Sequence, residues 1–99
     1  MAIVPHRITA SIAAENTYSD TALLYPGYAT FTLSGTWVAT VTFQISLDEG
    51  TTWKDVEDFT ANTSKVVAIG SRGGVPLHYR FGVKTSAYTS GTIVGNIHQ

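Results

Sequence analysis

The sequence predicts an all-β domain, a small antiparallel β-sandwich of the immunoglobulin-like or jelly-roll-like kind, with about seven short strands. Three observations carry that expectation. Apolar residues recur with a period of two rather than the helical period of about 3.6. Turn-forming dipeptides punctuate the chain at short intervals. The chain has 99 residues and no cysteine, so one domain must be held together by apolar burial and backbone pairing without disulfides.

The clearest segment is Trp37–Ser46. Trp37, Ala39, Val41, Phe43 and Ile45 fall on one face, and Val38, Thr40, Thr42, Gln44 and Ser46 on the other. Apolar residues opposite Thr and Gln mark a single strand with one face on a core. The register predicts Trp37, Val41 and Phe43 buried, with Thr40 and Thr42 exposed. Tyr79, Phe81 and Val83 alternate with Arg80, Gly82 and Lys84 in the same way, so Phe81 and Val83 are expected inside and Lys84 outside. Shorter candidates are Ile8–Ile12, Tyr28–Leu33, Trp53–Val56, Lys65–Ile69 and Ile93–His98. Between the strands lie the turn signals Pro26-Gly27, Ser34-Gly35, Asp48-Glu49-Gly50, Asn62-Thr63-Ser64, Gly73-Gly74 and Ser90-Gly91.

Two segments echo each other. Ser34-Gly-Thr-Trp-Val-Ala-Thr-Val41 aligns with Ser90-Gly-Thr-Ile-Val-Gly-Asn-Ile97, matching Trp37 with Ile93, Ala39 with Gly95 and Val41 with Ile97. The match suggests two hairpins that each start from a Ser-Gly turn. Residues 1–25 lack clean alternation, and Pro5 limits pairing near the start. They are expected to form an edge strand with a loop, or an arm reaching onto a neighbouring subunit, ahead of a sandwich over 26–99.

One motif is specific. Ser46-Leu-Asp-Glu-Gly-Thr-Thr-Trp53 fits S-x-D-x-G-x-T-W and resembles the Asp-box hairpin of sialidases and other β-proteins. Asp48 can accept backbone N–H groups across the turn, Gly50 can take a positive φ, and Trp53 can pack back on the hairpin. In that family the motif is a folding element away from the active site. A single copy makes no propeller, which needs repeated blades.

A wider stretch, Leu33 to Val56, together with Tyr79-Arg-Phe81 and Ala87-Tyr-Thr-Ser-Gly-Thr92, resembles small bacteriophage virion proteins. That resemblance implies a non-enzymatic structural role, first as a capsid decoration or cement protein and otherwise as a head–tail or tail component. The partner would be the major capsid protein or another virion protein, with self-association in the particle and assembly in the host cytoplasm.

Other chemistry finds little footing in the sequence. The formal net charge is −1, with no basic face of the kind that displaces counterions from nucleic acid. No apolar run approaches the roughly 20 residues of a membrane span. Ser71, His78 and Asp55 could be drawn as a triad, yet no Ser sits in a nucleophile-elbow pattern, and His6 and His98 lie near the ends. Asp48, Glu49, Asp55, Glu57 and Asp58 cluster without the spacing of a calcium loop. Gly70-Ser-Arg-Gly-Gly74 opens no helix and so makes no phosphate cradle. Asn62-Thr-Ser64 is a glycosylation sequon that matters only on secretion. No catalytic residue, metal ligand or cofactor is expected.

Two further expectations concern binding. Tyr18, Tyr25, Tyr28 and Tyr88 would make a sugar-stacking platform if they converge, the basis of an alternative role as a carbohydrate-binding module. A third role is that of an adaptor taking a peptide at a sheet edge. Five of the seven acids lie between Asp48 and Asp58, and Arg72, Arg80 and Lys84 come later. If those segments occupied different sides, one acidic and one basic face would orient the subunit on a particle. Pro5, Arg7, Tyr18, Tyr25, Arg72 and Lys84 are the interface residues this view singles out.

Overall fold

The computed structural model describes residues 7–70 and 77–99. Pro5 and Arg72, with His6, Ser71 and Gly73-Gly74, lie outside the described residues. Among the described residues nine strands follow in order: β1 (Arg7–Ile12), β2 (Thr17–Tyr18), β3 (Ala22–Leu24), β4 (Gly27–Ala39), β5 (Val41–Ser46), β6 (Lys54–Phe59), β7 (Thr63–Ile69), β8 (Leu77–Val83) and β9 (Tyr88–His98). They pair antiparallel in two sheets, and there is no helix among the described residues. The first sheet runs β1-β9-β4-β7; the second runs β2-β8-β5-β6, with β3 also on β8.

β2 and β3 are two halves of one interrupted edge strand. Both pair with β8, and Ser19 between them donates its N–H to the Phe81 carbonyl at 2.7 Å and accepts the Phe81 N–H on Oγ at 3.1 Å. Counted as one, they leave eight strands that pair from the outside in: first with last (β1–β9), second with seventh (β2/β3–β8), third with sixth (β4–β7) and fourth with fifth (β5–β6). Successive rungs of this long hairpin alternate between the two sheets, which is the jelly-roll form of the sandwich. The segment 7–24 is therefore no arm: Ile8, Ile12, Ala22 and Leu24 are core residues, and their apolar burial ties it down.

Trp37–Ser46 is not one strand. β4 ends at Ala39, β5 starts at Val41 in the other sheet, and the Thr40 N–H bonds the Ala87 carbonyl at 2.8 Å in the corner. A register shift at Val38/Ala39 accompanies the turn. Side-chain alternation keeps its phase through the corner, so the pattern looks continuous although the pairing partner changes from β9 to β8. Trp37 and Thr40 are half-buried there, whereas Val41, Phe43, Phe81 and Val83 are buried as the alternation requires.

The two Ser-Gly pairs are not turns. Gly35 and Gly91 lie inside β4 and β9, which pair with each other, and the register sets Gly35 opposite Ile93, Thr36 opposite Thr92 and Trp37 opposite Gly91. The sequence echo is thus a local pseudo-two-fold through the Thr36–Thr92 pair. Each glycine faces the other segment's large apolar residue with a positive φ, +101° and +89°. A Cβ on Gly91 would collide with the Thr36 carbonyl oxygen, and one on Gly35 would stand 2.5 Å from that of Thr92. Gly91→Ala and Gly35→Ala are each expected to lower stability by about 1–3 kcal/mol. Gly70→Ala, with open space and ordinary φ, should be nearly neutral. Urea unfolding of the three variants measures the contrast.

Candidate functional site

The Asp-box turn sits between β5 and β6. Asp48 Oδ1 accepts the Thr52 N–H at 2.8 Å and the Ser46 hydroxyl at 2.7 Å, and Oδ2 accepts the Thr52 hydroxyl at 2.5 Å. Ser46 Oγ in turn accepts the Gly50 N–H at 2.7 Å. Glu49 and Gly50 carry the positive φ values, +62° and +94°. The hydrogen bonds from Thr52, then from Ser46, hold the Asp48 carboxyl down at a pKa of about 2.

Beyond the turn, the outer face of the second sheet carries a small polar core of its own. Thr42, Gln44 and Ser46, expected in solvent, are buried, Thr42 to 1% exposure. Arg80 lies beside Gln44 on this face, its guanidinium stacked on the rings of Tyr18 at 3.9 Å and Trp53 at 4.3 Å. Every buried side-chain donor and acceptor among the described residues is satisfied. Arg80 donates to Gln44 Oε1 at 2.8 Å, Gln44 donates to Asp55 at 3.0 Å, and Thr42 donates to Asp58 at 2.8 Å. Lys84 pairs with Asp55, which lowers the carboxyl's pKa and raises the amine's. Burial lowers the pKa of Arg80.

This geometry removes the expected charge separation. β5 lies between β6 and β8, so Asp55 and Asp58 of β6 share one face with Arg80 and Lys84, and Asp55 and Lys84 form an ion pair across it. It also withholds Asp55 from His78, since both carboxylate oxygens are engaged with Gln44 and Lys84. Among the described residues no three His, Asp or Glu side chains gather as a metal site. The four tyrosines do not converge on one platform, although Gln99 holds Tyr25 and Tyr28 near each other by donating to both their carbonyls. Tyr18 covers Arg80 on the second sheet, Tyr28 starts β4 on the first, and Tyr88 lies near the opposite end of β4, opposite Ala39, with its hydroxyl on the Gly91 carbonyl. Gln99 ties Tyr25 down, accepting its N–H and donating to its carbonyl, both at 2.7 Å.

The contrast between the two outer faces was not foreseen. No strand of the first sheet contains a carboxylate. Its two cations are Arg7, bonded to His98 at 2.6 Å, and Lys65, which is drawn to Glu57 of β6 at 2.7 Å. The outer surface is a field of Thr9, Ser11, Thr30, Thr32, Ser64 and Asn96, interrupted by Tyr28 at 72% exposure, Val66 at 63% and Val94 at 37%. The signal was present, because the four segments are acid-free in sequence, but only the topology shows that they lie side by side. Comparisons with protein-family models, with curated proteins and with solved structures found no match in any of the three.

Two outcomes follow for the second sheet. Trp53→Ala should cost about 2 kcal/mol by uncovering Arg80 and Gln44, read from urea unfolding. Asp48 has its pKa lowered in the fold, so its contribution is present above the unfolded value near 3.8 and is lost as pH falls toward about 2. Asp48→Ala should therefore melt below wild type at neutral pH, with the gap closing between about pH 4 and pH 2 in thermal scans.

Proposed function

We propose that this chain is a non-enzymatic structural subunit of a bacteriophage particle, a capsid decoration protein that binds the shell through the outer face of its first sheet. The observation that carries this reading is the near absence of charge on that face. Charged groups are costly to desolvate, and the buried centres of protein interfaces are depleted of them. Short hydroxyl side chains can satisfy a partner's backbone groups at low entropic cost, and exposed Tyr28, Val66 and Val94 supply apolar contact. The charged second sheet then stays toward solvent. The jelly roll is an architecture that capsid domains share with lectins and cupins, so it agrees with the role without selecting it. The sequence resemblance to phage virion proteins points the same way. Attachment by complementary charge and by an N-terminal arm gives way here to attachment by an uncharged face.

Purified particles are expected to contain the chain in many copies, counted by quantitative mass spectrometry. Val66→Glu with Val94→Glu should leave the melting temperature close to wild type and abolish decoration of particles that lack the native subunit. Absence from particles, or full decoration by the double variant, overturns the proposal.

A further inference from the structure

The four sheet edges are protected unequally. β6 carries Lys54, Asp55, Glu57 and Asp58 within six residues, a density of charge that discourages strand addition. β2 and β3 are two and three residues long and broken at Ser19. β7 has Lys65 latched across to Glu57 of β6, which closes that side of the sandwich. β1 has none of these devices. Its six residues pair with β9 without a register shift, from Arg7↔His98 to Ile12↔Ile93, and no charge follows Arg7. Among the described residues no strand pairs with its other side.

The sequence of β1 also says what fits there. In an antiparallel self-pairing centred on Ala10, Ile8 meets Ile12 of the second copy, Ala10 meets Ala10, and Thr9 meets Ser11. Ile8, Ala10 and Ile12 face the core, and Thr9 and Ser11 are exposed. Apolar therefore meets apolar on the inner face, and hydroxyl meets hydroxyl on the outer. The neighbouring in-phase register, centred on Thr9, sets Arg7 against Ser11 and leaves Ile12 without an apolar partner inside the strand. Cross-strand pairs of this kind stabilise a sheet, and like charges placed opposite each other destabilise it.

We propose that two copies of this chain pair through β1 about a two-fold axis at Ala10, joining their first sheets into one continuous eight-stranded sheet. The dimer rests on the strand edges alone and needs no particle. It also makes a wider uncharged surface out of two outer faces.

Sedimentation equilibrium on the purified chain tests it. Wild type should reach a mass twice the 10.6 kDa of one chain. Thr9→Glu with Ser11→Glu places like charges opposite in both halves of the pairing and should weaken the dimer by roughly tenfold or more. Thr9→Lys with Ser11→Glu places opposite charges opposite in the same register and should restore it. Thermal melts check that both variants fold. In wild type, hydrogen exchange should slow within β1 as concentration rises through the transition. A wild-type monomer at all concentrations overturns the proposal, as does a dimer indifferent to the like-charged pair. A monomer with the opposite-charged pair, or β1 amides whose exchange ignores concentration, also overturns it. None of these outcomes bears on particle binding, which the Val66 and Val94 variants test separately.

Discussion

The ring of Phe31 is where the two sheets are joined. It projects from β4 and meets Phe43, Phe59 and Phe81, from β5, β6 and β8, with ring centroids 5.1, 5.1 and 5.3 Å away. One side chain of the first sheet is thus packed against three neighbouring strands of the second, tilted or edge-on as aromatic quadrupoles favour. Ile12, Leu33, Ile93 and Ile97 fill the first sheet's side of this cluster, and Val41, Tyr79 and Val83 the second's. With no disulfide to set the spacing, these contacts fix how the sheets lie on each other, and the pairing of β4 with both β7 and β9 fixes where Phe31 stands. The corner at Thr40 then becomes a necessity. β5 must leave the first sheet to bring Phe43 over Phe31, and it does so one residue after β4 ends.

The second sheet shows how a polar face can be made dry. Thr42, Gln44 and Ser46 are short or neutral enough to be buried, and Arg80 fits on this face because its flat guanidinium stacks on two rings while its donors still reach Gln44. A lysine at that place would offer a point charge with no plane to stack. Asp55 links the network to Lys84 at its rim, where solvent screens the pair, so the ion pair orients the groups more than it stabilises the fold. The Asp-box turn abuts this patch through Ser46, which belongs at once to the turn and to the covered row. The hairpin motif is therefore one end of a continuous polar layer.

Much of the fold was legible in the sequence because period-two alternation depends only on which face each residue takes. Val41, Phe43, Phe81 and Val83 fell where alternation placed them, and so did the strands over Ile8–Ile12 and Lys65–Ile69. What failed had a common cause. Alternation reports faces and is silent about partners. It could not show that Trp37–Ser46 changes sheets, since phase survives the corner. Nor could it show that Gln44 meets Arg80, stacked on Tyr18 and Trp53, or that Thr42 finds Asp58, residues distant in sequence. Ser34-Gly35 and Ser90-Gly91 read as turns in the sequence because glycine after serine is common in turns. Here each glycine makes room for the opposite strand's backbone, a requirement visible only once the two segments face each other. The echo between them was real, and its meaning was a pairing symmetry.

Charge is where topology alters the sequence's message most. Along the chain, the acids of Asp48–Asp58 and the later bases look like two separate blocks. The jelly roll brings Asp55 and Asp58 onto one sheet with Arg80 and Lys84, because its fourth, fifth and seventh strands are neighbours there, and it gathers the acid-free first, third, sixth and eighth strands on the other. Among the described residues the contrast between the two sheets is one of charged against nearly uncharged. Such a surface gains little from long-range steering and is insensitive to salt. The same economy of charge that leaves the first sheet's outer face nearly neutral leaves β1 without the devices that normally guard an edge. The sparse charge of the first sheet's outer face and the unguarded edge of β1 have the same origin in the composition of those four strands.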